Sequence, residues 1–266
     1  MFDRFNRNIN YLRISVTDRC NLRCTYCMPE EGIQLLQHKD ILTFDEIRDF
    51  TKAAAGVGVT KVRITGGEPL VRREITTLVG MISEIKEIND LSMTTNGVLL
   101  KQFAAGLKSA GLKRINISLD TVDPERFASI TRTGNINEVF EGIQAARDAG
   151  LFPIKINCVV KSSQHEEEAK AVAQFCIDND LEIRYITQMD LVKGHFSTVV
   201  GGTGGNCTLC NRLRLTANGF LKPCLFNDIE FSIRELGIRE AFKKAVHFKP
   251  EQGSQNLLNK FHNIGG

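Results

Sequence analysis

The sequence predicts an α/β fold, a partial (β/α)6 TIM-like barrel that carries a small C-terminal appendage. Six short runs rich in Ile, Val, Thr or Tyr alternate with longer amphipathic runs over about the first 190 residues. Such alternation indicates right-handed βαβ units and a parallel sheet. Six units favour a partial barrel over a flat doubly wound sheet, although periodicity alone does not separate the two. In both architectures the ligand site lies at the carboxyl ends of the strands.

The individual elements follow from local patterns. The predicted strands are Tyr11–Val16, Lys61–Thr65, Leu91–Thr94, Arg114–Leu119, Pro153–Val160 and Glu182–Thr187. Thr43 and Glu46 form a capping-box pattern at the start of one helix, and Ser163 with Glu166 opens a later one. The remaining helices show an apolar stripe at helical spacing or end at a glycine.

The composition is that of an ordinary globular protein, with 42% hydrophobic and 24% charged residues among 266. A net charge of +3 is too small to indicate a nucleic-acid or membrane partner. No apolar run has the length of a membrane span and the N-terminal residues lack a signal-peptide pattern, so we expect a cytoplasmic protein. In that compartment the eight cysteines indicate metal ligands or buried thiols rather than disulfides.

Cys20, Cys24 and Cys27 stand in a CxxxCxxC spacing directly after the first predicted strand. Thiolates hold iron–sulfur clusters or zinc, and structural zinc needs a fourth ligand that no nearby Cys or His supplies. Three thiolates on a 4Fe–4S cluster leave one iron free to chelate the amino and carboxylate groups of S-adenosylmethionine (SAM). The spacing resembles that of radical SAM enzymes, which cleave the SAM sulfonium with one electron. A zinc site completed by a distant ligand is the alternative.

Polar groups follow the next predicted strands. Glu68 ends a GGEP turn that resembles the radical SAM element for the SAM amino group. The strand ends at Thr94–Gly97 and Asn116–Asp120 carry hydroxyls and amides that could hydrogen-bond a ribose and an amino acid. Tyr26, inside the cysteine loop, could pack on adenine.

Basic residues interrupt otherwise apolar strands. They are Arg13, Arg63, Lys155 and Arg184, with Lys61 at a strand start. A buried cation without a partner is costly. We therefore expect these side chains to meet a polyphosphate or carboxylates inside the barrel, or else solvent and Asp or Glu partners.

The alternation is lost after about residue 190, where Gly and Cys are concentrated, so we divide the chain into a barrel of residues 1–190 and a C-terminal region of residues 191–266. Three further cysteines lie in this region: Cys207, Cys210 and Cys224. They predict a second 4Fe–4S cluster with an open iron or, with His195 as fourth ligand, zinc. Arg212 and Arg214 project together beside them if the run RLRLT is a strand.

Strings along most of the chain match one known family. They are YLRISVTDRCNLRCTYCMPEEG, KVRITGGEPLVRRE, TTNG, AGLKRINISLDTVDPERF, IKINCVV, CNRLRLTANGFLKPCLF and the terminal NIGG. Together they resemble the MoaA family, the GTP 3′,8-cyclases of molybdenum-cofactor biosynthesis. The resemblance implies a barrel of the radical SAM type with an iron–sulfur appendage, two 4Fe–4S clusters, SAM and GTP. A 5′-deoxyadenosyl radical would abstract the ribose 3′ hydrogen, and the carbon radical would attack C8 of guanine.

The resemblance also implies roles for individual residues. SAM would be held by Tyr26, Gly67, Glu68, Thr95, Ser118 and Met189. The triphosphate would be held by Arg13, Lys61, Arg63 and Lys155, with Arg184 as an addition. The cluster on Cys207, Cys210 and Cys224 would bind guanine, and Arg212, Arg214, Gly265 and Gly266 would act on substrate or intermediate. The implied partners are a flavodoxin- or ferredoxin-type electron donor, a downstream molybdopterin-precursor enzyme and a second copy in a homodimer.

One segment departs from the family. Asp190–Asn206 is considerably shorter than its counterpart, and Asn206 stands where the family has Phe. A MoaA-like paralogue acting on another nucleotide or small anionic substrate is therefore the alternative. A peptide-modifying radical SAM enzyme is disfavoured because its appendage usually holds more than three cysteines. A non-enzymatic electron-transfer or zinc-ribbon protein is the alternative outside enzymes.

Overall fold

Nine strands form one sheet within residues 1–258 and Ile264, the part of the chain described by the structure, a computed structural model. In chain order they are β1 Tyr11–Ser15, β2 Lys61–Thr65, β3 Asp90–Thr95, β4 Arg114–Ser118, β5 Ile154–Val160, β6 Glu182–Thr187, β7 Arg212–Leu215, β8 Phe220–Lys222 and β9 Phe231–Ser232. Their order across the sheet is β6-β5-β4-β3-β2-β1-β7-β8-β9. The strands β1 to β7 are parallel, and β8 and β9 return antiparallel. The predicted partial barrel is confirmed, and the six predicted strands end within one residue of those observed.

Helices follow the strands of the barrel. Those of the described residues are α1 Phe44–Ala55, α2 Ile75–Ser83, α3 Leu100–Ser109, α4 Pro124–Thr131, α5 Ile136–Asp148, α6 Glu167–Asp178, α7 Ile233–Leu236 and α8 Ile238–His247. The capping box of α1 is confirmed: Glu46 N donates to Thr43 Oγ1 at 3.2 Å, and Thr43 N donates to Glu46 Oε2 at 2.7 Å. None of these helices combines the length and apolar character that a membrane crossing requires.

Two helix starts differ from expectation. The α6 helix begins at Glu167, after the Ser163 position that the sequence pattern indicates, because the Glu166 carboxylate instead accepts the backbone N–H groups of Ser162 and Ser163. The α4 helix was not predicted. Its signal is an Asp123 cap, which accepts from the backbone N–H of Arg126 at 2.8 Å, followed by a proline at the first helical position.

Strand register places the basic residues side by side. In β1 the side chains of Leu12 and Ile14 are fully buried in the main core, so Arg13 between them points to the opposite, inner face. Arg13 lies in register with Arg63 of β2 on one side and Arg214 of β7 on the other. Three neighbouring strands therefore present a row of guanidinium groups to the barrel interior.

The C-terminal region continues the barrel sheet. The run RLRLT forms β7, as expected for a strand, and β7 pairs with β1 over the register Tyr11↔Arg212 to Ile14↔Leu215. Arg7 also ties the N-terminus to this region, because its Nη1 donates to the Cys207 carbonyl at 2.8 Å. The division at residues 190 and 191 stays a prediction, with residues 212–232 sharing the barrel's sheet.

Candidate active site

A cavity of about 660 Å³ opens inside the barrel, and both sets of cysteines lie on its wall. The first cysteine triad is Cys20, Cys24 and Cys27, and the second cysteine triad is Cys207, Cys210 and Cys224. Each of the six thiols is half-buried. A ligand in the cavity can therefore contact both triads at once.

The first cysteine triad lies on the loop that follows β1. Burial, together with the neighbouring cysteines and Asp120, raises the pKa of Cys24 and Cys27 to about 12. Thiols that resist ionisation this strongly become thiolates when a metal centre supplies positive charge. Three soft donors crowded on one loop thus fit an iron–sulfur cluster.

The described residues contain no group of three His, Cys, Asp or Glu side chains that could hold a single metal ion. A cube-shaped cluster binds each thiolate at a different iron, so its ligands need not converge on one point. Convergence is a requirement of zinc rather than of a 4Fe–4S cluster.

Tyr26 fastens the cysteine loop to the strand ends. Its hydroxyl donates to Asp120 Oδ2 at 2.6 Å, and Asp120 Oδ1 accepts the Val159 N–H at 2.8 Å. Tyr26 also lines the cavity, and its packing on adenine stays a prediction. Asp120 has a structural part in this loop that sequence reasoning did not identify.

Glu68 presents a carboxylate to the same end of the cavity. Its oxygens accept from Leu70 N at 2.9 Å, Thr95 Oγ1 at 2.8 Å and Asn96 N at 2.7 Å. The side chain is 1% exposed, and burial raises its pKa to about 7. Three donors fix the position of this carboxylate, but its burial makes ionisation unfavourable. A cationic or N–H-bearing ligand therefore stabilises the ionised form.

Gly67 allows the GGEP turn to pack against the cysteine loop. A Cβ at this position would lie 2.4 Å from the Arg19 carbonyl oxygen, which no side chain tolerates. Two backbone bonds hold the contact, from Gly67 N to Thr17 O at 2.7 Å and from Glu68 N to Arg19 O at 2.8 Å. The glycine is thus required by the protein's own packing as well as being available to a ligand.

Positive charge dominates the other walls of the cavity. Among the described residues its cationic side chains are Arg13, Lys61, Arg63, Arg114, Arg184, Arg212 and Arg214, and its carboxylates are Glu68 and Asp90. Burial and the neighbouring Arg212 lower the pKa of Arg214 to about 10, and burial followed by the charge of Arg214 lowers that of Arg13. Seven cations against two carboxylates fit a multiply charged anion.

The second cysteine triad lies where β7 begins and β8 ends. Burial acts to raise the pKa of Cys210, but the charge of Lys249, together with a backbone hydrogen bond and the charge of Arg212, outweighs burial and the pKa is lowered. Lys249 Nζ donates to Cys210 Sγ at 3.4 Å. Neither Lys249 nor its contact was foreseen, because a single lysine 39 residues after Cys210 belongs to no recognisable motif.

The radical SAM superfamily matches residues 14–176 of the chain. The GTP 3′,8-cyclase of Thermodesulfovibrio yellowstonii is 41% identical over 322 aligned positions, covering 100% of both chains. That of Pelotomaculum thermopropionicum is 42% identical over 307 positions, covering 95% of this chain and 94% of its own. The chain belongs to the GTP 3′,8-cyclase family of radical SAM proteins. The aligned lengths exceed this chain's 266 residues, so the alignments open gaps in this chain.

Solved structures show the same fold. SuiB of Streptococcus suis bound to S-adenosylmethionine superposes with a TM-score of 0.66 at 16% identity, over 92% of this chain and 64% of that one. Methylornithine synthase gives a TM-score of 0.56 at 16% identity, over 76% of this chain and 61% of its own. This chain therefore spans less than two thirds of either structure, and the likeness establishes the barrel alone.

Most of the residues assigned by resemblance to the cyclase family meet at the cavity. Those on its wall are Arg13, Tyr26, Lys61, Arg63, Gly67, Glu68, Thr95, Ser118, Arg184, Met189, Arg212 and Arg214, with both triads. Lys155 is not among the wall residues and forms an ion pair with Glu182 of β6. Gly265 and Gly266 lie outside the described residues. Ile264, just before them, is buried with Leu191 and Phe226.

Two neighbouring threonines at the end of β3 differ in their hydrogen bonds. The hydroxyl of Thr95, which was expected to hold SAM, donates to Glu68 and accepts the Gly97 N–H at 3.1 Å. Within the described residues, the buried hydroxyls of Thr94 and Thr65 have no hydrogen-bond partner, and both residues lie on the cavity wall. Orphaned buried hydroxyls indicate where a polar ligand completes the site.

The segment of residues 190–206, which the resemblance predicts to be shortened, lies along one side of the cavity. Val200 pairs with Tyr185 at the edge of β6 through backbone bonds of 3.0 and 3.1 Å. Thr203 Oγ1 accepts from Arg212 Nη2 at 2.7 Å. The Gly-rich run 201–205 thereby lies on the cavity wall beside the arginines.

Proposed function

We propose that this chain converts GTP to (8S)-3′,8-cyclo-7,8-dihydroguanosine 5′-triphosphate in molybdopterin biosynthesis, with SAM as radical source and a 4Fe–4S cluster on each cysteine triad. The observation that carries the proposal is one cavity lined by two cysteine triads and seven cationic side chains. The 41% identity to a GTP 3′,8-cyclase over the full chain supports it. A cytoplasmic location, a flavodoxin- or ferredoxin-type electron donor, a downstream molybdopterin-precursor enzyme and a homodimer belong to the same proposal.

At the end of the cavity near the first triad, this chain's residues bind and orient SAM. When bound, the cluster and SAM together supply a 5′-deoxyadenosyl radical. Glu68 accepts an N–H of the SAM amino group, since its carboxylate is fixed by three protein donors and its burial favours a positive neighbour. Thr94 and Thr65 offer the hydroxyls that the protein leaves unsatisfied.

Along the inner face of β1, β2 and β7, the arginine row binds the triphosphate. Each hydrogen bond from a guanidinium to a phosphate oxygen is worth about 1.5–3 kcal/mol. The bound anion also relieves the mutual repulsion of Arg13, Arg63 and Arg214, which lie in register. The base then reaches the second triad, beside which β7 carries Arg214 of the row and Arg212.

Anaerobic turnover with isotope-labelled GTP tests the proposal. The reconstituted protein is given SAM, dithionite and GTP deuterated at the ribose 3′ carbon. We expect deuterium in 5′-deoxyadenosine and a nucleotide product that has lost the label. The matched control replaces GTP by ATP, which offers the same triphosphate and ribose with a different base. SAM cleavage without a GTP-dependent product would contradict the proposal.

A second candidate is a paralogous enzyme acting on another nucleotide or small anion. The observation that favours it is the shortened segment, which leaves Gly-rich backbone on the cavity wall. Equilibrium binding of a panel of nucleoside triphosphates separates the two candidates. A clear preference for GTP supports the cyclase, and equal affinity across bases supports the paralogue.

A further inference from the structure

Lys249 is an ammonium buried against the second cysteine triad. Its side chain is among the largest fully buried ones, and the residue is 1% exposed. All three ammonium protons have acceptors: Cys210 Sγ at 3.4 Å, the Arg212 carbonyl at 2.7 Å and the Pro223 carbonyl at 2.7 Å. These acceptors come from β7, from the end of β8 and from the cysteine loop, so one side chain joins the segments that carry Cys210 and Cys224.

The carbonyls satisfy the hydrogen bonds of Lys249 but do not neutralise its charge. A buried ammonium needs a negative partner. Burial lowers the pKa of Lys249, and the largest interactions that oppose this effect are with Cys210 and Cys224, while Arg7 repels it. Lys222 provides a contrast in the same region, since its ammonium pairs with the Glu230 carboxylate at 3.2 Å and interacts more weakly with Cys224. The negative groups that balance the charge of Lys249 are therefore the thiolates of Cys210 and Cys224.

The two cysteine triads differ in the charged groups around them. Cys20 interacts with Glu68 and, less strongly, with Arg23, and Cys24 and Cys27 interact with Asp120. Cys210 and Cys224 interact instead with Lys249, and Cys224 also interacts with Arg214. The potential of an iron–sulfur cluster rises with hydrogen bonds to its sulfurs and with nearby positive charge. The same cluster type thus meets mainly carboxylates at the first triad and cations at the second.

We propose that Lys249 is a positioning residue that holds Cys210 by a charge-assisted hydrogen bond and raises the reduction potential of the cluster on the second triad. The inference rests on the proposed cluster at Cys207, Cys210 and Cys224. One-electron reduction adds a negative charge to that cluster, and a cation within hydrogen-bond distance of a ligating sulfur favours the reduced form. Lys249→Met removes the charge and keeps most of the apolar stem.

The test is a redox titration of the full chain followed by electron paramagnetic resonance. A Cys20→Ala/Cys24→Ala/Cys27→Ala parent isolates the second cluster, and iron and sulfide are quantified in every sample. We expect Lys249→Met to disfavour one-electron reduction about tenfold or more, which lowers the midpoint by about 59 mV. The control is Lys222→Met/Glu230→Gln, which removes another buried ammonium together with its carboxylate, and it should change the equilibrium less than threefold.

The outcomes separate the two levels of inference. A parent that binds neither iron nor sulfide overturns the cluster assignment and this inference together. A parent with a full cluster, and a Lys249→Met variant with equal cluster content and a change below threefold or of opposite sign, overturns the inference alone. If Lys249→Met takes up no iron, Lys249→Gln, which keeps a neutral N–H donor, is titrated by the same criterion.

Discussion

Replacing Glu68 by Gln tests the end of the cavity that is proposed to bind SAM. The substitution keeps the size of the side chain and removes its negative charge. Leu70 N, Thr95 Oγ1 and Asn96 N hold the carboxylate in place. A hydrogen bond to a charged partner is worth about 1.5–3 kcal/mol. The dissociation constant of SAM should therefore rise roughly 10- to 150-fold in Glu68→Gln.

The pH dependence of SAM binding tests the role of Glu68 more sharply than the affinity at a single pH. Burial raises the pKa of Glu68 to about 7 in the ligand-free protein. Below that pH the carboxyl group is protonated, and binding must first expel the proton. SAM affinity of the unmodified protein should thus weaken about tenfold per pH unit below about 7 and level off above it. The Gln variant has no such group, so the difference between the two proteins shrinks as the pH falls.

Anaerobic titration calorimetry between pH 6 and 8 measures both quantities on protein with its iron content verified. Glu168→Gln is the matched control, since Glu168 bonds Thr121 and Arg126 and is absent from the cavity wall. Equal affinity of Glu68→Gln and the unmodified protein at pH 8, or a constant ratio across the pH range, would refute the reasoning.

Three further predictions follow from the site. Cys24→Ala should abolish release of 5′-deoxyadenosine, measured by chromatography, because two thiolates hold a cluster poorly; continued release would show that the ligand assignment is wrong. Tyr26→Phe leaves the buried Asp120 carboxylate without its 2.6 Å donor, so we expect thermal denaturation to report a loss of about 1–3 kcal/mol in the free energy of unfolding. Arg63→Met should weaken GTP binding roughly 10- to 150-fold in calorimetry. The ligand-free variant should be as stable as the unmodified protein or more stable, since burial and the neighbouring arginines lower the pKa of Arg63. A strongly destabilised variant would contradict this.

Local patterns account for what the sequence predicted well. The six barrel strands were found because β-branched runs alternate with helices, and strands of this kind end where polar turns begin. The first triad and Glu68 were found because their spacing is local, within residues that one loop or one turn brings together. Arg13 and Arg63 of the arginine row were expected to face the barrel interior because they are basic residues at apolar strand positions, whereas Arg214 was expected only beside the second triad.

Long-range contacts account for what the sequence did not show. The pairing of β7 beside β1 depends on residues 11 and 212 meeting, and no local pattern encodes that neighbour. The contact of Lys249 with Cys210 has the same origin. Lys155 was assigned to the triphosphate by resemblance, but its partner Glu182 becomes visible only when β5 and β6 are paired. Thr94 and Thr95 are adjacent residues of the same type, and only their hydrogen bonds in the structure show which hydroxyl is available to a ligand.

The late arrival of β7 beside β1 has a consequence for biosynthesis. Tyr11 and Arg212 are neighbours in the finished sheet, yet at about 5–20 residues per second the ribosome makes them roughly 10–40 seconds apart. During that interval one edge of β1 has no neighbour, and an open edge is prone to pairing with other chains. The row of guanidinium groups cannot assemble before residue 214 emerges from the ribosome. A nascent chain can therefore complete its first cysteine loop long before it can bind a nucleotide.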